Sequence, residues 1–213
     1  AVKNCGDAYD LDALRPLERL ARVAFGGGYS TPITPADLSP LGELKALTEL
    51  SISYAKLSSA GCEWLSAVTG LETLTLTRAE GLTSMDWINA LPKLGSLDLS
   101  GSRVGEWPVG PPLEHLTKLE IGNAPSNAFF ERLSALESLE VEEVTSLRSV
   151  AALRTLKHLR IKETLPSSDL GALGALEALE TLVIDVPDAA CDLSPLAGHT
   201  GLVSLEITGA SWP

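Results

Sequence analysis

Residues 91 to 99 read LPKLGSLDL and follow the pattern L-x-x-L-x-x-L-x-L. The same frame returns along the chain, and its L-x-L core, or an apolar equivalent, begins again every 20 to 27 residues. A near-constant period in this range indicates a repeat protein. The nine cores are Val23/Phe25, Leu50/Ile52, Leu74/Leu76, Leu97/Leu99, Leu119/Ile121, Leu139/Val141, Leu159/Ile161, Leu182/Ile184 and Leu205/Ile207.

Each L-x-L core predicts a short strand with one apolar side, because successive side chains of a strand point to opposite faces. A strand this short cannot bury that side alone. Stacking each repeat on the next pairs the strands in parallel and closes a continuous core. Burial of each apolar side chain contributes roughly 1.5–3 kcal/mol, and the loss of conformational entropy offsets most of the sum.

Two runs open with D-L-S-P-L: ADLSPLGELKALTELSI at 36–52 and CDLSPLAGHTGLVSLEI at 191–207. They resemble internalin-type bacterial leucine-rich repeats, and the run at 58–76 resembles longer repeats with a convex helix. The resemblance covers about residues 14–208. It implies an α/β leucine-rich-repeat solenoid, a curved right-handed superhelix. A nine-stranded parallel sheet would form its concave face, and short helices, 3₁₀ turns or loops its convex face.

The chain departs from the family at one repeated position, three residues after the second strand residue, where internalin-type repeats usually carry Asn. Without that Asn, the backbone groups of the turn must bond to water, to each other or within a tighter turn. We therefore expect an irregular convex side. The position holds Ala55, Ala79, Ser102, Ala124, Val144, Thr164, Pro187 and Ala210.

The repeats divide the chain into an N-terminal capping segment at 1–22, about nine repeats at 23–208 and a C-terminal tail at 209–213. We expect one continuous domain, either a stand-alone protein or a fragment of a longer one. Leucines three residues apart in the cap predict a helix that begins at Asp10 or Asp12. After the last strand, Trp212 and Pro213 either fold over its edge or leave that edge to a partner.

Bulky residues on the convex side recur in register and predict a packed ridge formed by Trp64, Trp87, Val109 and Phe129. Trp107 lies in a segment with too many Gly and Pro residues for a helix. The glycines of the loop that follows the first strand predict a flexible turn, and the alternative is a protruding contact loop that presents Tyr29.

The formal net charge of −12 argues against a nucleic-acid partner, which requires clustered Lys and Arg. The three cysteines, Cys5, Cys62 and Cys191, are odd in number and far apart. No N-x-[ST] sequon and no apolar run long enough to cross a membrane occur in the sequence. We therefore expect a cytoplasmic protein that binds neither nucleic acid nor membrane.

The sequence contains no motif of a nucleophilic, metal-dependent or nucleotide-binding site. His199 occupies a leucine position of the repeat, which predicts a packed and hydrogen-bonded core histidine. His115 lies in a connecting segment. No catalytic residue, cofactor or metal ligand is therefore predicted, and an enzyme is not expected.

The strand residues that point away from the core are the candidate binding residues, because solenoids usually bind on the concave face. Two interpretations remain open for the charged rows. Cross-strand pairs, Glu140 with Arg160 and Glu142 with Lys162, flanked by Asp185, either neutralise one another or form a patch that orients a protein partner. The predicted partner-binding residues are Glu49, Tyr54, Asp98, Lys118, Glu120, Glu140, Glu142, His158, Arg160, Lys162, Asp185 and Glu206.

Together these features predict a bacterial protein-interaction module. The absent N-terminal Met and the position of the repeats at the chain end favour the C-terminal sensor domain of a signalling or defence protein that resembles nucleotide-binding leucine-rich-repeat receptors. The alternative is a stand-alone effector or inhibitor that wraps a target enzyme and blocks it.

Overall fold

The structure is a computed structural model that describes residues 11–33, 38–57, 60–144, 146–164, 167–185 and 192–208. The chain divides into two compact units, Ala1–Pro111 and Pro112–Pro213. These are called unit 1 and unit 2. The division into cap, repeats and tail within one continuous domain stays a prediction.

Unit 1 contains four parallel strands: β1 at Arg22–Gly26, β2 at Glu49–Ser53, β3 at Thr73–Thr77 and β4 at Ser96–Leu99. Their order follows the chain, and the first apolar residues of the four L-x-L cores are in register. The predicted core residues of β2, β3 and β4 are at most 1% exposed.

Unit 2 contains five parallel strands: β5 at Lys118–Asn123, β6 at Ser138–Glu143, β7 at His158–Thr164, β8 at Thr181–Asp185 and β9 at Ser204–Thr208. They also pair in chain order, with the leading leucines of neighbouring cores opposite each other. The prediction of nine parallel strands, one for each L-x-L core, is confirmed.

Most connections between strands contain a short 3₁₀ helix. In the described part of unit 1 these helices are Ser39–Glu43, Ala60–Ala67 and Asp86–Ala90, and a further 3₁₀ turn, Asp12–Leu14, precedes β1. Among the residues described in unit 2, three such helices occur, at Leu147–Ala152, Ser167–Ala175 and Ser194–Gly198, together with a four-residue α-helix, α1, at Asn127–Phe130. The convex helix expected within 58–76 is therefore a 3₁₀ helix.

The N-terminal segment is less helical than predicted. Of the leucine-spaced run, only Asp12–Leu14 forms a 3₁₀ turn, and Leu17 is 46% exposed. Asp10 lies outside the described residues. Pro16 explains part of the difference, because a proline has no backbone N–H to donate to the next helical hydrogen bond.

The predicted convex ridge is only partly present. Trp87 in unit 1 and Phe129 in unit 2 are buried, and Trp64 is half-buried. Val109 is 80% exposed, so its assignment to the ridge was wrong. The residue lies between Pro108 and Gly110, in a segment without the short helix that turns the equivalent side chains inward.

Ser102 replaces the missing asparagine at one turn of unit 1. Its side chain is buried, and its hydroxyl donates to the Leu76 carbonyl oxygen at 2.8 Å and accepts from the Ala79 amide at 2.8 Å. A side chain in the family's Asn position thus satisfies two backbone groups of the preceding repeat. At the neighbouring turn the backbone supplies its own partner, since the Glu80 amide donates to the Ala55 carbonyl oxygen at 2.9 Å.

The strand β9 is the least buried of unit 2. Leu205 in this strand is 45% exposed and Val203 next to it is 85% exposed. Trp212 and Pro213, which could cover the strand, lie outside the described residues. No helix in the described part of the chain is long and apolar enough to cross a membrane.

Candidate protein-binding surface

The residues that alternate with the buried positions of the strands form what we call the polar face of each unit. In unit 1 this face carries mostly hydroxyls, and in unit 2 it carries mostly charges. The central strand positions of unit 1 are Ala24, Ser51, Thr75 and Asp98, and those of unit 2 are Glu120, Glu140, Arg160, Val183 and Glu206.

An ammonium group held by two carboxylates lies at the centre of the polar face of unit 2. Lys162 Nζ of β7 is 2.6 Å from Glu140 Oε1 and 3.7 Å from Glu142 Oε1, both on β6. The hydrogen bond to Glu140 raises the pKa of Lys162 above its ordinary value, against the opposing effect of burial. The charges of Glu140, Glu142 and Glu120 raise it further.

A second ion pair extends the same surface onto β5. Lys118 Nζ lies 2.7 Å from Glu120 Oε1, two residues along the same strand. Together these groups form a surface that we call the charged patch, consisting of Lys118, Glu120, Glu140, Glu142, Arg160 and Lys162. The exposed fractions of the ion-paired side chains range from 22% to 53%. These side chains therefore remain accessible to a partner.

Arg160 takes no part in this pairing. The residue stands opposite Glu140 in the strand register, as predicted, but the Glu140 carboxylate bonds to Lys162 instead. The Arg160 side chain is exposed, and none of the described carboxylates lies within ion-pair distance of it. The patch thus carries an unneutralised guanidinium in addition to its internal pairs.

The register predicted for Asp185 was wrong. Asp185 was expected beside Lys162, but the pairing of β7 and β8 shifts between Arg160 and Thr164, and Asp185 is opposite Thr164. Such an irregularity leaves at least one residue of a strand without a direct partner. The alternation of the L-x-L pattern does not reveal this shift in register.

Two other predicted residues lie near the patch without joining its ion pairs. His158 is exposed between Ser138 and Thr181, and Glu206 on β9 is exposed opposite Val183. The structure therefore brings together six of the predicted binding residues in unit 2, and His158 and Glu206 extend the polar face to either side.

In unit 1 the predicted charged residues are bonded locally. Glu49 pairs with Arg22 across the strands at 3.0 Å, and Asp98 accepts from the Ser100 amide at 2.9 Å. Between them the Ser53 and Thr77 hydroxyls share a hydrogen bond of 2.8 Å. Glu49 and Asp98 therefore neither contact one another nor belong to a charge cluster.

Tyr54, the one predicted aromatic residue, belongs to a cluster that the sequence did not reveal. The Arg78 guanidinium lies 5.4 Å from the centre of the Tyr54 ring, and the Tyr29 ring meets the same ring edge-on at 6.5 Å. Tyr29, Tyr54 and Arg78 are called the tyrosine–arginine cluster. No motif marks Arg78, which adjoins Tyr54 only because equivalent turns of successive repeats stack.

The backbone of this cluster is strained. Tyr54 and Arg78 follow β2 and β3 directly, and both have a φ of 51°. Left-handed backbone costs a non-glycine residue roughly 1–2 kcal/mol, and an exposed cation–π contact returns about 0.5–1 kcal/mol. The Tyr54–Arg78 contact therefore does not offset the strain of both residues.

Gly101 occupies the equivalent turn after β4, with a φ of 69°. A Cβ atom there would lie 2.8 Å from Cγ of Arg78, so the glycine provides both the conformation and the space for the arginine stem. The next repeat thus uses the unstrained residue at the position where Tyr54 and Arg78 are strained.

The histidine and the cysteine considered next, His199 and Cys62, are both buried. His199 is 8% exposed, and its Nε2 lies 3.0 Å from the Leu173 carbonyl oxygen, which confirms the predicted core histidine. Cys62 is buried, and burial raises the pKa of its thiol to about 11. Among the described residues no three His, Cys, Asp or Glu side chains are placed to hold a metal ion.

Comparison by sequence finds neither a matching family model nor a matching curated protein. Comparison by structure does find matches. An internalin from Listeria monocytogenes aligns over 97% of this chain and 66% of its own, with a TM-score of 0.57 and 20% identity. A leucine-rich-repeat protein from Leptospira interrogans aligns over 94% and 64%, with a TM-score of 0.53 and 16% identity.

A third similar structure is TLR13 in a complex with single-stranded RNA, aligned over 92% of this chain and 37% of its own, with a TM-score of 0.58 and 19% identity. The chain thus has the α/β leucine-rich-repeat fold. Within this fold it is similar to internalins, as the D-L-S-P-L runs predicted. It spans just under two thirds of the length of the Listeria and Leptospira proteins.

Proposed function

We propose that the chain is a protein-binding module whose partner docks on the polar face of unit 2, over the charged patch. The observation that carries this proposal is the exposed Arg160 guanidinium, which the neighbouring carboxylates leave without an ion pair. If the patch served only internal pairing, Arg160 would be expected to bond to Glu140, its register partner.

The arrangement of charges suits recognition of an oriented partner. Alternating positive and negative groups on rigid strands favour one orientation of a complementary surface and disfavour others. The exposed ion pairs stabilise the fold by only about 0–1 kcal/mol each. Selection for stability is therefore a weak reason to place so many charges on one face.

A protein partner is favoured over nucleic acid by the balance of charge. The net charge of −12 opposes binding of a phosphate backbone. TLR13, a protein of this fold, is seen in a complex with RNA. Its sequence is only 19% identical to this chain, so the RNA is not carried over as a ligand. Cytoplasmic location, bacterial origin and a sensor or blocking-effector role remain part of the proposal. The proposal does not include an enzymatic role.

A quantitative pull-down from native lysate tests the proposal with three forms of the chain: wild type, Arg160→Glu and Arg154→Glu. Arg154 is an exposed arginine of the same unit in a connecting segment, which makes it a matched control. We expect the wild type and Arg154→Glu to capture the same specific protein and Arg160→Glu to lose it. Equal capture by all three forms, at equal melting temperature, would contradict docking on the patch.

A further inference from the structure

We propose that the tyrosine–arginine cluster of unit 1 is a second binding surface. Its ligand is an extended segment of a protein that presents an acidic side chain beside an apolar one. This inference rests on the proposed function in taking the partner to be a protein. It concerns another unit and other residues.

The charge of Arg78 indicates the acidic side chain. The residue is exposed, its guanidinium contacts the Tyr54 ring, and no carboxylate among the described residues lies within ion-pair distance. Arg15 and Arg22 in the same unit pair with Glu43 and Glu49 respectively. Arg78 therefore keeps its planar set of donors available for a carboxylate, the group that this geometry matches best.

The position of the guanidinium is fixed before any ligand binds. Its central carbon lies 5.4 Å from the centre of the Tyr54 ring, and its stem lies against Gly101, where a Cβ atom would collide with it. A side chain ordered in advance loses less rotamer freedom on binding. This explains why left-handed backbone is kept at Tyr54 and Arg78 although the adjacent repeat uses glycine.

Tyr29 supplies the apolar part of the surface. Its side chain is 82% exposed and is supported edge-on by the Tyr54 ring, with an angle of 81° between the two planes. Tyrosine offers a large contact area with few rotatable bonds, and it is enriched in binding hot spots. An apolar side chain next to the acidic one can pack on this ring.

The shape of the cluster favours an extended segment. Tyr29, Tyr54 and Arg78 follow β1, β2 and β3, so the cluster crosses three repeats and spans roughly 10 Å. About three residues of an extended chain cover this distance. The adjacent strand positions carry hydroxyls, including Ser53 and Thr77, which do not repel a carboxylate.

The test uses the full chain and a phage library of random dodecapeptides. Selected peptides are synthesised, and their affinity is measured by fluorescence anisotropy for wild type, Arg78→Gln, Arg78→Lys, Tyr29→Ala and the control Arg154→Gln. We expect selected peptides to contain Asp or Glu beside an apolar residue. Arg78→Gln should weaken binding about tenfold or more, Arg78→Lys less, and Arg154→Gln not at all.

Several results would overturn the inference. These are selection of no peptide, selection of peptides without an acidic residue, and undiminished binding to Arg78→Gln whose melting temperature equals that of wild type. Binding of a single-stranded RNA oligonucleotide at physiological salt that Arg78→Gln abolishes would also overturn it, in favour of a nucleic-acid site. Arg160→Glu should leave peptide binding unchanged, so this inference and the proposed function fail separately.

Discussion

The Lys162 ammonium on β7 bonds to Glu140 on β6 at 2.6 Å, although the strand register places Arg160 opposite Glu140. The pairing of Lys162 with Glu140 determines which charges on the polar face of unit 2 are neutralised. Lys162 reaches back to carboxylates of the preceding repeat, and the Arg160 guanidinium remains exposed. The ion pairs of the patch therefore hold Lys162 and its carboxylates in place and leave the Arg160 guanidinium available to a partner.

The bond to Glu140 predicts a specific change in the titration of Lys162. Removing the carboxylate in Glu140→Gln should lower the pKa of Lys162, because that hydrogen bond is the largest cause of its rise. Glu137→Gln, which removes the partner of Lys157 at 3.0 Å, should leave the pKa of Lys162 unchanged. Lysine side-chain NMR across the alkaline range measures both variants, and an unshifted pKa in Glu140→Gln would contradict the assigned bond.

The sign of the pH effect on stability follows from the direction of this shift. A lysine whose pKa is raised by folding stabilises the native state fully below its unfolded pKa, about 10.4. This contribution is lost as the pH rises through the folded value. Glu140→Gln should therefore reduce the difference in unfolding free energy between neutral and strongly alkaline pH. Urea unfolding at both pH values tests this.

Gly101→Ala should destabilise unit 1. The substitution places a Cβ atom 2.8 Å from Cγ of Arg78 and puts alanine at a φ of 69°. The backbone cost alone is roughly 1–2 kcal/mol. Gly171→Ala is the control, since a Cβ atom there meets nothing within 4 Å, and it should be neutral or slightly stabilising. Equal unfolding free energies for the two variants would show that Gly101 has no special role.

Ser102→Ala should lower the unfolding free energy by about 1–3 kcal/mol, because it leaves a buried amide and a buried carbonyl without their partner. Ser66→Ala removes a hydroxyl that is bonded at the surface to the Glu63 carbonyl oxygen, and it should change stability little. Urea unfolding of both variants decides the matter. A Ser102→Ala variant as stable as wild type would mean that water replaces the hydroxyl at this turn.

Cys62 should be unreactive in the native chain. Burial raises the pKa of its thiol to about 11, so the reactive thiolate is scarce at pH 8. In a Cys5→Ser/Cys191→Ser background, a disulfide reagent such as DTNB should label the chain only after unfolding. Fast labelling under native conditions would contradict the burial of Cys62. Since folding raises this pKa from 9.0 to about 11, its contribution to stability is present below about pH 9 and is lost towards pH 11.

The repeat pattern predicted the strands because burial in a stacked solenoid follows the L-x-L alternation directly. Leu74, Leu97 and Leu139 are at most 1% exposed in the middle of their strands. His199 was predictable for the same reason, since its position in the repeat fixes its environment. The pattern does not fix the connecting segments, where Val109 turned outward between Pro108 and Gly110.

The candidate sites were predicted less completely. Alternation identifies which residues share a face, but it does not identify which acceptor a long lysine reaches, so Lys162 was paired only with Glu142 and Asp185. A local register shift places Asp185 opposite Thr164. Arg78 was missed because its role depends on left-handed backbone at a turn, which neither composition nor periodicity reports.

Site-specific photocrosslinking tests the central claim most directly. A benzophenone amino acid is placed at position 160 on the polar face, or at position 154 in a connecting segment, and the chain is irradiated in native lysate. We expect one protein to crosslink at position 160 and not at 154, and unlabelled wild-type chain to compete with the crosslink. Crosslinks that are absent at 160, or equal at both positions, would contradict docking of a protein partner on the charged patch.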